Sequence, residues 1–336
     1  MKRRSFIISS VLLVLVAVSV IAVPGKGKSR LNRELPKISL TSEQAGKYVS
    51  DHEAAIPNIK PENASTVVYA NETTKSQTGY CLLYLHGFSA SPMEGNPSHI
   101  NIGKAFGMNT YLPRLAAHGL ITEDALIDMT PENLWNSAKE ALVIAKALGK
   151  KVILMGTSTG GTLALKLAAD FPEDIAAVLL YSPNVKIANK AASLLAGPFG
   201  LQLGRMISHG KYRVLESDPK TDPYWYNKYR VEGVVYLQKL LNKTMKASVF
   251  AEVKQPVFVG YYYKDEEHQD PTVSVKAILW MYDKLGTSPE MKVKTAFPDA
   301  GDHVIGCDLT NPNWIKVYNQ TSDFLVSKMG MTVVAK

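Results

Sequence analysis

The chain has 336 residues, 46% hydrophobic and 20% charged, which is enough to bury one large core or two modest ones and excludes disordered, collagenous and coiled-coil classes. Its formal charge of +8 is concentrated at one end: Lys2, Arg3, Arg4, Lys26, Lys28, Arg30 and Arg33 precede any acidic residue, and beyond them 31 basic residues face 30 acidic ones. That near-balance gives no electrostatic reason to bind phosphate backbones, so nucleic acid is not expected as a partner.

Lys2-Arg3-Arg4 leads into the uncharged apolar run Phe6–Val23, broken only by Ser9, Ser10 and Ser19. The run is long for the apolar core of a signal peptide and short for a membrane-spanning helix. Residues 1–23 are therefore read as a signal peptide or N-terminal membrane anchor. The protein is expected to be exported, periplasmic or extracellular, or held at a membrane through residues 6–23. Basic residues flank the run on both sides and leave its orientation open. Residues 24–61, polar and punctuated by proline, read as a linker or N-terminal extension with one short helix near Glu43–Ala54.

Residues 62–336 alternate strands and helices. Thr66–Tyr69 and Tyr80–Leu85 are short β-rich runs joined by a polar stretch, expected as neighbouring strands. Met108–Leu112, Lys151–Met155, Ile175–Tyr181, Val257–Tyr263 and Lys292–Phe297 have the length and apolar content of buried strands. Thr130 before Pro131 is a helix start, and Leu134, Ala138, Ala141, Leu142, Ala145 and Leu148 lay out one apolar face ending at Gly149. Further helices are expected at Thr159–Ala169, Val273–Leu285 and Trp314–Lys328. This alternation predicts an α/β fold with a mostly parallel central sheet flanked by helices. Residues 184–253 break the alternation and read as a helical cap, with helix-like segments at Ala191–Leu203 and Val231–Leu241. Its aromatics Tyr224, Trp225, Tyr226 and Tyr229 either pack helix against sheet or line an acyl pocket.

Gly156-Thr157-Ser158-Thr159-Gly160-Gly161 follows one strand and opens a helix. In a strand–turn–helix of this kind the serine hydroxyl stands at the sheet edge as a nucleophile. Side chains two residues before and after it would collide, so Gly156 and Gly160 are required there. Upstream, the run Leu82–Leu85 ends in His86-Gly87-Phe88-Ser89, a loop able to aim the Phe88 N–H at a developing oxyanion. The Thr159 N–H, at the positive end of the following helix, supplies a second donor. His86 precedes the elbow and reads as structural.

Together these residues resemble the α/β-hydrolase family, and within it carboxylesterases and monoacylglycerol-lipase-like serine hydrolases, over roughly residues 67–326. The resemblance implies the α/β-hydrolase fold, with the cap inserted after the sixth strand, and a triad in the order serine, acid, histidine. Ser158 would be the nucleophile. His303, in Asp299-Ala300-Gly301-Asp302-His303 after the last strand, occupies the family's position for the base, in preference to His209 or His268. Asp270, followed by Pro271-Thr272-Val273, matches the family's acid, with Asp265 as the alternative. The single-glycine loop departs from the His-Gly-Gly-Gly form and disfavours esters of bulky tertiary alcohols. The family's strand order also implies that Cys81 and Cys307 stay unpaired.

The expected activity is cleavage of a small-molecule carboxylic ester, short to medium acyl or monoacylglycerol-like, through an acyl-enzyme, with no metal or organic cofactor. An amide- or peptide-directed serine hydrolase of the same fold shares every one of these residues, and a non-catalytic binding module is the remote alternative.

Overall fold

The short apolar runs between Tyr80 and Phe297 lie side by side in one sheet. The computed structural model describes residues 31–334, so the expected address at residues 1–23 lies outside the described residues. The chain divides after Asn32, and the second unit, Arg33–Lys336, carries the sheet and its helices. In chain order its first elements are α1 (Ser42–Ala54), β1 (Thr66–Val68), β2 (Thr78–Leu85), α2 (Ser98–Ala105), β3 (Asn109–Leu112), α3 (Pro131–Leu148), β4 (Gly149–Thr157), α4 (Thr159–Asp170) and β5 (Ile175–Tyr181). The cap follows, with α5 (Gly200–Ile207), β6 (Tyr212–Val214), β7 (Lys228–Arg230), α6 (Val231–Thr244) and α7 (Ala247–Phe250). The fold closes with β8 (Val257–Tyr261), α8 (Val275–Lys284), β9 (Lys292–Ala296) and α9 (Trp314–Met329).

Seven strands form the main sheet in the order β1-β3-β2-β4-β5-β8-β9. All pairs are parallel except β1 with β3. Parallel strands covered on both faces need apolar side chains on both, which is why β2, β4 and β5 read as unbroken hydrophobic runs. The strand period of two sorts them: Leu82, Tyr84, Ile153, Met155, Ala177, Leu179 and Tyr181 join Ile102 of α2 and Val317, Phe324 and Leu325 of α9 in one core cluster. Cys81, Leu83, Leu85, Val152 and Leu154, also buried, serve the opposite face, where α3 and α4 lie against β2 and β4. Helix α3 begins where its cap residue predicts: Thr130 Oγ1 accepts the Asn133 N–H at 3.1 Å, and Pro131 occupies the first turn.

Several expectations need correction. β1 is not a neighbour of β2, because β3 and β4 occupy both edges of β2, and the three-residue β1 closes the sheet edge against β3 instead. The cap is not wholly helical: β6 and β7 pair as an antiparallel ribbon within it. It follows the fifth strand of the described chain, one earlier than expected. Helix α2 carried no periodic signal, because it is only eight residues long, with Pro97 as its N-cap and Gly103 inside it.

From Arg33 on, the 24–61 extension belongs to the sheet unit. A capping box between Thr41 and Gln44 starts α1, the Tyr69 hydroxyl donates to Ser42 O at 2.7 Å, and Arg114 pairs with Glu53 at 2.9 Å with both side chains largely buried. Among the described residues no helix is long and apolar enough to cross a membrane.

Candidate active site

Ser158 sits between β4 and α4 with φ 53° and ψ −117°, a conformation that costs an L-residue about 1–3 kcal/mol and persists only where the surroundings enforce it. They do: the Ser158 N–H donates to Tyr181 O at 3.0 Å, and Ser158 O accepts from Asn184 N at 2.9 Å and Thr162 N at 3.2 Å. The end of β5 thus grips the turn. A side chain at Gly156 would lie 2.6 Å from the Gly160 carbonyl, and one at Gly160 would enter the Leu85 carbonyl. Both positions therefore admit only glycine.

The loop after β8 carries Asp270, and the loop after β9 carries His303; their side chains meet. His303 Nδ1 lies 2.7 Å from Asp270 Oδ2, with both groups buried. Asp270 Oδ1 accepts the Thr272 and Val273 N–H groups at 2.8 and 2.9 Å, so the carboxylate is held from both ends. With Nδ1 donating to the carboxylate, Nε2 carries the lone pair. Nε2 is buried and has no hydrogen-bond partner, Ser158 Oγ included. Burial alone would lower the His303 pKa; the Asp270 charge and hydrogen bond, with Glu94 and Asp302 behind them, outweigh it and raise the pKa above the ordinary imidazole value.

The other candidates stand apart. Asp265 lies on an exposed turn, where its Oδ1 accepts from Glu267 N, His268 N and the His268 ring. His209 is an exposed residue of the cap. The N–H groups of Phe88 and Thr159 have no acceptor among the described residues, and Thr159 is the first residue of α4, where the helix dipole is positive. His86 is structural: buried, it lies 2.9 Å from Gly87 O through Nδ1 and accepts the Leu115 N–H through Nε2 at 3.0 Å. Cys81 and Cys307 are both buried free thiols. Of the cap aromatics, Tyr229 stacks edge-on against Phe88, and Tyr226 donates its N–H to Ser89 O at 2.8 Å. These two pack on the His-Gly-Phe-Ser loop.

Sequence reasoning missed Glu94. It lies on the 3-10 turn Pro92–Gly95 and is buried, accepting the Gly87 N–H at 2.5 Å and the Tyr84 hydroxyl at 3.2 Å. Burial pushes its carboxyl up to about 7, against the pull of Gly87, His303, Tyr84 and Trp225. A glutamate in a polar loop carries no sequence mark of such burial.

Residues 137–260 match the serine aminopeptidase S33 family. The structure is similar to one from the LipS and LipT pair of metagenome-derived lipolytic enzymes, with 17% identity, covering 80% of this chain and 99% of that one, at a TM-score of 0.64. It is similar to the monoacylglycerol lipase of Paleococcus ferrophilus, with 17% identity over 79% of this chain and 98% of that one, TM-score 0.56. The monoglyceride lipase of Saccharomyces cerevisiae shares 14% identity over 80% of this chain and 92% of its own, TM-score 0.52. No curated protein sequence matches the chain. The fold is the α/β-hydrolase fold.

Proposed function

We propose that the protein hydrolyses carboxylic esters of short to medium acyl chain length, monoacylglycerol-like lipids among them, by acyl transfer to Ser158. The observation that carries this is the Asp270–His303 pair, which leaves a buried, unpartnered imidazole lone pair at Nε2. A serine hydroxyl is a poor nucleophile near neutral pH. His303 Nε2 takes its proton as Oγ attacks the ester carbonyl, and Asp270 stabilises the imidazolium that forms. The tetrahedral oxyanion lies against the Phe88 and Thr159 N–H groups. Collapse breaks the bond to the alkoxy oxygen, which leaves as the alcohol with the proton from His303. Water, deprotonated by the same histidine, then releases the acid and restores Ser158.

Two features support an apolar acyl group. A cavity of about 270 Å³ lies between the cap and the segment just after Asp270; Leu195, Ile207, Val231 and Pro271 line it beside Asn189 and Arg213, and Ser158 and His303 are not in its walls. The similar solved structures include lipases and esterases. The apolar run Phe6–Val23 is proposed to direct export or to anchor the chain at a membrane. The test is turnover of a short-chain aryl ester against its matched anilide, in wild type and Ser158→Ala. The ester is expected to turn over in wild type and not in the variant. Preference for the anilide would replace esterase by amidase, and ester turnover by a folded Ser158→Ala would reject the nucleophile.

A further inference from the structure

Three successive backbone N–H groups leave the end of β2, at Gly87, Phe88 and Ser89, and the outer two are taken by buried side chains. The Gly87 N–H donates to Glu94 Oε2 at 2.5 Å, and the Ser89 N–H donates to His118 Nε2 at 3.1 Å. The middle N–H, of Phe88, has no acceptor among the described residues. We propose that Glu94 is a positioning residue for oxyanion stabilisation: with His118 on the other side, it clamps the loop so that, of these three, only the Phe88 N–H faces the reacting carbonyl. This rests on the reading of Ser158 and Phe88 given above and adds the means by which the donor is aimed.

The loop needs such a clamp. Ser89 has φ 64°, a strained value for a residue with a side chain, so the turn does not hold its shape unaided. The carboxyl of Glu94 reaches Gly87 because residue 87 has no side chain: a Cβ there would lie 2.6 Å from Glu94 Oε1 and 3.1 Å from Ser158 Cβ. Glu94 is thus wedged one residue's width from the nucleophile. Its own position is set by the turn Pro92–Gly95 and by Tyr84, whose hydroxyl also reaches Thr157 Oγ1 at 3.0 Å, next to Ser158.

On the far side, His118 Nδ1 lies 2.8 Å from Ala116 O, so Nδ1 carries the proton and Nε2 is the acceptor. Burial pushes His118 down to about 4, which keeps that lone pair free near neutral pH. Burial instead pushes Glu94 up to about 7, and its acid and its carboxylate both keep an oxygen that accepts from Gly87. A peptide group is planar, so pinning the neighbours on both sides of the Phe88 amide sets the direction of its N–H.

The test compares wild type with Glu94→Leu, which removes the acceptor, Glu94→Gln, which keeps one, and His118→Phe, which keeps the ring beside His86 and loses the acceptor. Each is assayed on an aryl ester and on the matching thionoester, whose sulfur is a poor hydrogen-bond acceptor and draws little on the oxyanion donors. Glu94→Leu and His118→Phe are expected to lower kcat on the oxygen ester by about 10–100-fold with KM nearly unchanged, since loss of a whole donor costs about 10²–10³. The thionoester rate should fall much less, and Glu94→Gln should recover most of the loss. Should Glu94→Leu not fold, His118→Phe and Glu94→Gln carry the comparison. Equal losses on both substrates, no loss at all, or Glu94→Gln as impaired as Glu94→Leu or His118→Phe would overturn the clamp. Wild-type protein that turns over neither ester, or unimpaired Ser158→Ala, would instead sink the functional reading beneath it.

Discussion

Replacing Gly160 by alanine adds one methyl group at the point where α4 passes closest to β2. The new Cβ would stand 2.5 Å from the Leu85 carbonyl carbon and 2.8 Å from His86 O, nearer still to the Leu85 oxygen. These are backbone atoms, so no side chain can swing aside. Relief requires α4 and the end of β2 to part by about 1 Å or more, and that strand end leads directly into His86-Gly87-Phe88. A misplacement of that size costs about 10²-fold in rate where catalytic groups must be aligned. Overpacking costs typically about 1–3 kcal/mol, and an unyielding backbone contact puts this substitution at or above the upper end. Alanine's better helix propensity returns at most about 1 kcal/mol.

Gly161→Ala is the internal control. Its Cβ would meet Pro183 Cβ at 2.9 Å and Pro183 Cα at 3.1 Å, a smaller overlap than the one at Gly160 that still requires the Pro183 segment to move. Urea unfolding and ester turnover of the two variants should therefore separate widely, with Gly160→Ala losing at least about 3 kcal/mol and 10²-fold in kcat/KM. Gly160→Ala with stability and turnover equal to Gly161→Ala would refute the close approach of α4 to β2.

Two further outcomes follow from the charges. As the proposed base, His303 must be neutral to act, so kcat/KM should rise with pH along an acid limb centred above the ordinary imidazole value, because Asp270 raises the His303 pKa. Asp270→Asn keeps an oxygen for the Thr272 and Val273 N–H groups but points an amide donor at Nδ1, enforcing the wrong tautomer. Turnover should drop by about 10³–10⁴ with the fold kept, and the remaining acid limb should move to lower pH; an unshifted limb would show that Asp270 does not set it.

For stability, burial pushes His99 and His118 each down to about 4 and lowers His86 as well, so the folded state refuses protons that the unfolded chain binds below about pH 6.5. Glu94, raised to about 7, opposes them by holding its proton in the fold. The balance is an uptake of about two protons on unfolding near pH 5, so stability should rise with pH there by about 3 kcal/mol per unit. Urea titrations at pH 4.8 to 5.3, taken as about that window, showing a flat or falling trend would contradict the burial of neutral imidazoles.

The strand–helix alternation was legible because parallel strands with both faces covered leave runs that nothing else produces; Ile175–Tyr181 is β5 to the residue. Helix α3 was legible from its ends, where threonine, proline and glycine each have one physical use. Pairing was less so. A three-residue strand such as β1 has too little pattern to choose a partner, and the choice was made by the free edge of β3. The ribbon of β6 and β7 and the short helix α2 were hidden for related reasons, one by its brevity and the other by glycine and proline.

At the site, the elbow declared itself through Gly156 and Gly160, whose absent side chains are a local requirement. Asp270 and His303 lie 33 residues apart, and only family context marked either; the structure brings their side chains to 2.7 Å. Glu94 and His118 escaped because their significance lies in burial and in which backbone N–H each one accepts, and neither leaves a trace in residue type or spacing.

The most direct test of the account is the site of covalent modification by a fluorophosphonate, which reacts with a serine activated by an adjacent base. Peptide mass spectrometry should find one adduct, on Ser158, absent from Ser158→Ala and formed far more slowly in His303→Ala. An adduct elsewhere, or none on a protein that still turns over ester, would contradict the claim that Ser158, His303 and Asp270 form one reactive unit.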